Sequence, residues 1–186
     1  MPLLRILFWL IEIVLILGVF SYCVHITGLL LSFVFEVPYV PSSMDAVKKA
    51  FQHIHPPKDS KVLEIGCGDG RVLCSMVKKH HLYGRGIDKN PIFVLSARVR
   101  SLIMRTSQRT SFITGDGRVA DVGWADIIYL FMLPKFLHTE IIKSKLLQEA
   151  KQGAFIISHW YEIDYLKQKE VHRLQTGTHE TYVYKI

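Results

Sequence analysis

Hydrophobic positions fall into two regimes along this chain. From Ile6 to Val24 they are almost continuous, built from leucine, isoleucine, valine and phenylalanine, and Glu12 is the only formal charge in the run. A stretch of about 19 residues at ~1.5 Å rise covers roughly 28 Å, close to the hydrocarbon thickness of a bilayer. Each apolar residue there favours insertion by roughly 0.3–0.6 kcal/mol, against roughly 3 for a central charge, so Glu12 does not cancel the run. The bulky Tyr22 of Ser21-Tyr22-Cys23 argues against the small-residue cleavage site of a signal peptide or lipoprotein. The pattern predicts an uncleaved membrane anchor over residues 1–36, with a transmembrane helix at about 6–24. The shorter apolar stretch from Ile26 to Phe35 extends that helix or lies in the interface.

After Val37-Pro38-Tyr39-Val40-Pro41, whose prolines stop a helix, the apolar positions become short and periodic. A pre-core segment over 37–59 carries one amphipathic helix from about Met44 to His53. Ser42 is its expected N-cap, Asp45 completes a capping box, and Pro56-Pro57 closes it. Over 60–186, β-branched runs alternate with helix-length segments: strands at 62–65, 84–88, 111–114, 126–131 and 154–159, helices at about 70–79, 92–106 and 134–150. Such alternation predicts a mainly parallel sheet covered on both faces. Val171–Leu174 and Thr181–Tyr184 lie too close for a crossover helix and predict a terminal antiparallel hairpin joined by residues 175–180.

The loop after the first strand, Glu64-Ile65-Gly66-Cys67-Gly68-Asp69-Gly70-Arg71, sits where an open α/β sheet binds ligands. Gly66, Gly68 and Gly70 free the backbone to turn tightly and approach a ligand. The dinucleotide fingerprint needs a third glycine at the position of Arg71, and no Gly-Lys-Ser/Thr follows for a Walker loop. Glu64 and Asp69 beside the loop are poor company for phosphate and good company for a cation. S-adenosylmethionine carries a sulfonium and an ammonium and no phosphate, and it is the expected cofactor. Asp88, at the end of the second strand, suits the ribose hydroxyls, with Lys89 next to it; Asp116-Gly117, after the third strand, suits the adenine amino group.

These strand-end motifs, with the terminal hairpin, resemble those of the class I S-adenosylmethionine-dependent methyltransferases. A narrower resemblance rests on the anchor, Pro38-Tyr39-Val40-Pro41-Ser42, the glycine loop and Tyr129-Leu130-Phe131-Met132-Leu133-Pro134, which are similar to the FAM173 family of membrane-anchored protein lysine methyltransferases. That resemblance implies a Rossmann-like seven-stranded sheet, a pre-core segment needed for activity, and lysines of membrane proteins as methyl acceptors. The Asp/Asn-Pro-Pro-Tyr motif of adenine- and glutamine-methylating relatives is missing after the fourth strand. Tyr129, Phe131, Trp160 and Tyr161 are candidate aromatic faces for a lysine ammonium, with Tyr39, Pro41 and Pro134 as further candidate substrate contacts. Tyr129 and His159 are the candidate catalytic residues, although methyl transfer needs alignment more than a dedicated base. A lipid-soluble acceptor, either a quinone precursor or a phospholipid amine, and a silent cofactor-binding module stay open as other readings.

Composition changes the picture only at the edges. The net charge of +7 fits nucleic acid, anionic lipid or a solvated surface, and with an anchor present lipid is the expected partner and nucleic acid is not. Arg98, Arg105 and Arg109 would fall roughly on one side of a helix. Cysteines at 23, 67 and 74 show no C-x-x-C pairing and no zinc spacing, so neither a disulfide framework nor a metal is expected. An intracellular cofactor implies a domain on the cytoplasmic or mitochondrial matrix side.

Overall fold

The computed structural model describes residues 2–34 and 39–186; the expectations for Val37-Pro38 and for the last residues of the anchor lie outside them. Two compact units divide between Tyr39 and Val40. The first is a single helix, α1 (Pro2–Val34), so the second apolar stretch continues the first. Its most apolar 18-residue window has a mean hydropathy of 2.5, and the helix is long and apolar enough to cross a membrane. Thr27 and Ser32 donate their hydroxyls to the carbonyls of Cys23 and Gly28, so these polar side chains are satisfied within the helix.

The second unit opens with α2 (Met44–Ile54). Its N-cap is Ser43, whose Oγ accepts from Ala46 N, and not Ser42 as the capping-box spacing suggested. Ala46, Val47, Ala50, Phe51 and Ile54 form its buried face, and His55 ends it in the left-handed region ahead of the prolines. The sheet follows in alternation: β1 (Lys61–Ile65), α3 (Arg71–His80), β2 (Tyr83–Asp88), α4 (Pro91–Ile103), β3 (Thr110–Thr114), β4 (Ile127–Leu130), α5 (Pro134–Leu137), α6 (Glu140–Ser144), β5 (Phe155–His159), β6 (Glu170–Thr176) and β7 (His179–Lys185). Strand order is β3-β2-β1-β4-β5-β7-β6, with β7 antiparallel to β5 and to β6. Chain order reverses between β1 and β4, where an open α/β sheet offers a ligand crevice.

One apolar cluster joins the sheet to α2, α3 and α4 through Phe51, Leu73, Met76, Val94 and Phe112; a second lies on the other face around Leu63, Ile128, Leu137 and Tyr184. β4 is buried along its whole length and reads as an unbroken apolar run, and β1 is buried everywhere but its first residue, with Glu64 the one acid in its buried part. Three expectations are corrected. The helix expected over 134–150 is broken, because the Thr139 hydroxyl donates to Phe136 O and then caps α6 by accepting from Ile142 N, and a π-turn over Lys145–Glu149 follows. The hairpin strands reach further than expected and leave a tight turn at Gly177, φ 61°. α4 ends at Ile103 and Arg105 takes φ 58°, so Arg105 and Arg109 do not continue the helical face of Arg98.

Candidate cofactor and acceptor site

The glycine loop is tied to the second strand by its own backbone. Gly66 N and Cys67 N both donate to Ile87 O, at 2.8 and 3.1 Å. Gly68 N donates to Asp88 Oδ2 and Asn90 N to Asp88 Oδ1, each at 2.8 Å. Each carboxylate oxygen therefore holds one backbone donor and keeps room for another, the arrangement a ribose diol requires. Burial raises the Asp88 pKa, and the N–H groups of Asn90 and Gly68 oppose the rise.

Positive φ values of 79° at Gly66 and 71° at Gly70 require glycine, for different ends. A Cβ on Gly66 would meet nothing within 4 Å, so the loop leaves open space there. One on Gly70 would stand 2.7 Å from Ala97 Cβ and 2.9 Å from the Phe112 ring, so this glycine lets α3 close onto α4 and β3. Gly117 approaches Ile65 so closely that any Cβ would run into Ile65 Cγ2, which seats the loop after β3 against the end of β1.

The acids play unequal parts. Glu64 is 4% exposed, and its Oε2 accepts from Leu73 N at 3.2 Å, capping α3 from beneath. Burial pushes its carboxyl well above the ordinary range, the Leu73 N–H opposes the rise, and Asp69 and Asp88 add to it; through the bond to Leu73, Glu64 supports the loop's architecture. Asp69 is paired at 2.5 Å with Arg100, which also donates to Asp69 O and so clamps the loop from α4. Asp116 accepts from Arg118 and lies 3.2 Å from Lys89 Nζ; the Arg118 guanidinium holds its carboxyl far below the usual carboxylate range. Lys89 and Asp116, both read as cofactor contacts, are thus brought together at the outer end of β2. Asp69 and Asp116 thus have cationic partners, whereas Asp88 has none among the described residues and holds backbone N–H groups instead.

Beside the loop, where β4 and β5 end, aromatic and imidazole groups collect. Phe131 lies 4.9 Å from His159 and 5.0 Å from Trp160 between ring centroids. Trp160 takes φ 74°, a strained backbone for so bulky a residue, and stacks on His179 at 3.8 Å. His159 is 1% exposed, with Nδ1 2.8 Å from Thr181 Oγ1, and burial, reinforced by His179, pushes its pKa down to about 4. Tyr129 pairs with Glu64 in the β1–β4 register and is buried; burial pushes its phenol far upward, while Ser42 comes near without hydrogen-bond geometry. Tyr129 Oη, His159 Nε2 and Trp160 Nε1 are buried with no hydrogen-bond partner among the described residues.

Of the other expected contacts, the Tyr161 ring meets Trp160 edge-on, 6.4 Å between centroids. Tyr161 packs against the cluster on the opposite face, Pro134 starts α5, Pro41 lies in the extended entry to α2, and Tyr39 belongs to the N-terminal unit. Sequence reasoning missed Arg100, Thr181 and His179. The hairpin pair carried a faint signal, since a strand laid antiparallel to β5 must bring its first residues to His159.

A family model described as the ANTKMT methyltransferase domain matches residues 64–170. A protein-lysine N-methyltransferase of Saccharolobus islandicus is 29% identical over 159 residues, 84% of this chain and 98% of that protein. An RNA methyltransferase from Salinibacter ruber, solved with S-adenosyl-L-homocysteine, superposes with a TM-score of 0.73 at 21% identity, covering 79% of this chain and 94% of that one. A methyltransferase from Geobacter sulfurreducens, solved with the same molecule, gives 0.56 at 22% identity, covering 63% and 48%.

Proposed function

We propose that this chain, which belongs to the ANTKMT methyltransferase domain family and is a class I S-adenosylmethionine-dependent methyltransferase, methylates the ε-amino group of lysine on a membrane-associated protein. The observation that carries the acceptor is the pair of partnerless polar atoms, His159 Nε2 and Trp160 Nε1, gathered with the Phe131 ring where β4 and β5 end. The Saccharolobus relative supports lysine as the acceptor.

The cofactor, when bound, supplies an activated methyl carbon on a sulfonium, and the rest is alignment. Asp88 would receive the ribose, Lys89, Asp116 and Gly117 the adenine side, and Glu64 to Gly70 would hold the loop that faces the methionine moiety. The faces of Phe131 and Trp160 offer a lysine ammonium its entry. Displacement needs the neutral amine, and an imidazole held at about 4 is a weak base for that task. Desolvation among the rings instead lowers the pKa of the lysine, its proton passes to water, and His159 or Tyr129 orients the amine. α1 would keep the domain at a bilayer, cytoplasmic or matrix side, and raise the effective concentration of membrane-borne acceptors.

Purified protein incubated with native membranes and radiolabelled S-adenosylmethionine tests this reading. Label is expected in protein, on lysine, and is expected to fall by roughly 100-fold or more in Asp88→Ala through lost ribose binding. Label that follows lipid would replace lysine as the acceptor class. Equal labelling by both proteins would reject the role of Asp88.

A further inference from the structure

Two of the three helices on one face of the sheet show solvent what amphipathic helices normally show. α2 exposes Lys48, Lys49 and Gln52, and α3 exposes Lys78 and Lys79. α4 differs. Its inner face, Phe93, Val94, Ala97 and Ser101, is buried as expected. Its outer face is apolar as well: Leu95, Val99, Leu102 and Ile103 are 55%, 48%, 65% and 76% exposed. Spacings of four, seven and eight from Leu95 put them on one stripe. A helix with apolar stripes on both its inner and outer faces belongs in a core or against lipid, and this one has its outer stripe open.

The charges beside the stripe select the occupant. Between Asp88 and Asp116 the chain has Lys89, Arg98, Arg100, Arg105 and Arg109, and no acidic residue. Arg100 and Arg109 are neutralised by Asp69 and Asp59, and Lys89 faces Asp116. Arg98 lies three residues after Leu95 and four before Leu102, on the edge of the stripe, and among the described residues its guanidinium donates only to Phe112 O. Arg105 is exposed just past the end of α4. Neither has a carboxylate partner among the described residues, so the leucine stripe is bordered by uncompensated positive charge.

We propose that the outer face of α4 docks on an anionic lipid surface, with Leu95, Val99, Leu102 and Ile103 entering the headgroup boundary and Arg98 and Arg105 meeting lipid phosphates. This rests on the reading of α1 as a membrane anchor, which holds the domain where such a surface is always within reach. A second copy of the chain fits less well. Twofold pairing of the stripe would bring the unpaired arginines of both copies to one interface.

The test uses the full chain with Cys23→Ser, reconstituted in nanodiscs of phosphatidylcholine with phosphatidylserine and labelled with a polarity-sensitive fluorophore at Leu102→Cys. Val171→Cys, on β6, serves as the comparison site. Docking predicts a blue shift and quenching by bromine-labelled acyl chains at position 102 and neither at 171. It also predicts roughly tenfold weaker docking when Arg98→Glu and Arg105→Glu are combined, or when phosphatidylserine is omitted. Retained S-adenosylhomocysteine binding shows that each variant is folded. Equal, water-like emission at both sites in a chain that stays on the disc would overturn the docking and leave the anchor standing. A chain that never enters the disc would overturn both. A shift at 102 that appears without lipid and grows with protein concentration would assign the stripe to a second copy.

Discussion

The imidazole of His159 meets Thr181 Oγ1 through Nδ1 and leaves Nε2 unpartnered in a space nearly closed to water. Its pKa in the folded chain, about 4, lies below the ordinary 6.5, so between those values the unfolded chain binds a proton that the folded chain does not. This group's contribution to stability is therefore complete above about pH 6.5 and is lost as pH falls toward about 4, by up to ~3 kcal/mol. His159→Gln is expected to flatten the fall in stability between about pH 7 and about pH 5, measured by urea unfolding. An unchanged slope would assign the acid sensitivity to other groups, such as His80, whose pKa burial also lowers. From the sequence, His159 is one histidine at a strand end. Its character comes from Thr181 and His179, distant in the chain and adjacent only through the hairpin register.

Two glycines of one loop separate what an element needs for folding from what it needs for binding. Gly70→Ala places a methyl group against Ala97 and Phe112 at a left-handed φ, and is expected to destabilise the domain by ~2–4 kcal/mol through overpacking and backbone strain. Gly66→Ala meets no neighbour, so its stability cost stays near ~1 kcal/mol, while a methyl group in the ligand's space should weaken S-adenosylhomocysteine binding by roughly tenfold or more. Denaturant unfolding and calorimetry on both variants check the pair, and equal effects on stability would contradict it. Most elements could be read from periodicity because a strand buried on both faces and a helix buried on one leave different patterns. Those misread were decided at single residues, as at Thr139, whose hydroxyl competes for backbone groups, and at Arg105, whose left-handed backbone follows the end of α4.

For the molecule as a whole, α1 is the feature with the widest consequence. If it spans a bilayer, the protein should stay in the pellet through alkaline carbonate extraction of native membranes, and a chain lacking residues 2–34 should be released. Release of the full chain would remove the anchor from the reading. Residue types and spacing by themselves determined the apolar helix, the alternation that builds a parallel sheet, the reversing hairpin, and the glycine loop with Asp88 and Asp116 at successive strand ends. These are local matters, in which a residue's neighbours in the chain are also its neighbours in the pattern. Only tertiary structure decided how each acid is partnered: Glu64 is buried beneath α3, Asp69 and Asp116 are compensated by Arg100 and Arg118, and Asp88 accepts from the backbone N–H groups of Gly68 and Asn90. It likewise decided that Phe131, His159, Trp160 and His179 form one cluster. Charge and burial depend on what crosses the space between distant segments, and that distance is set by the folded sheet.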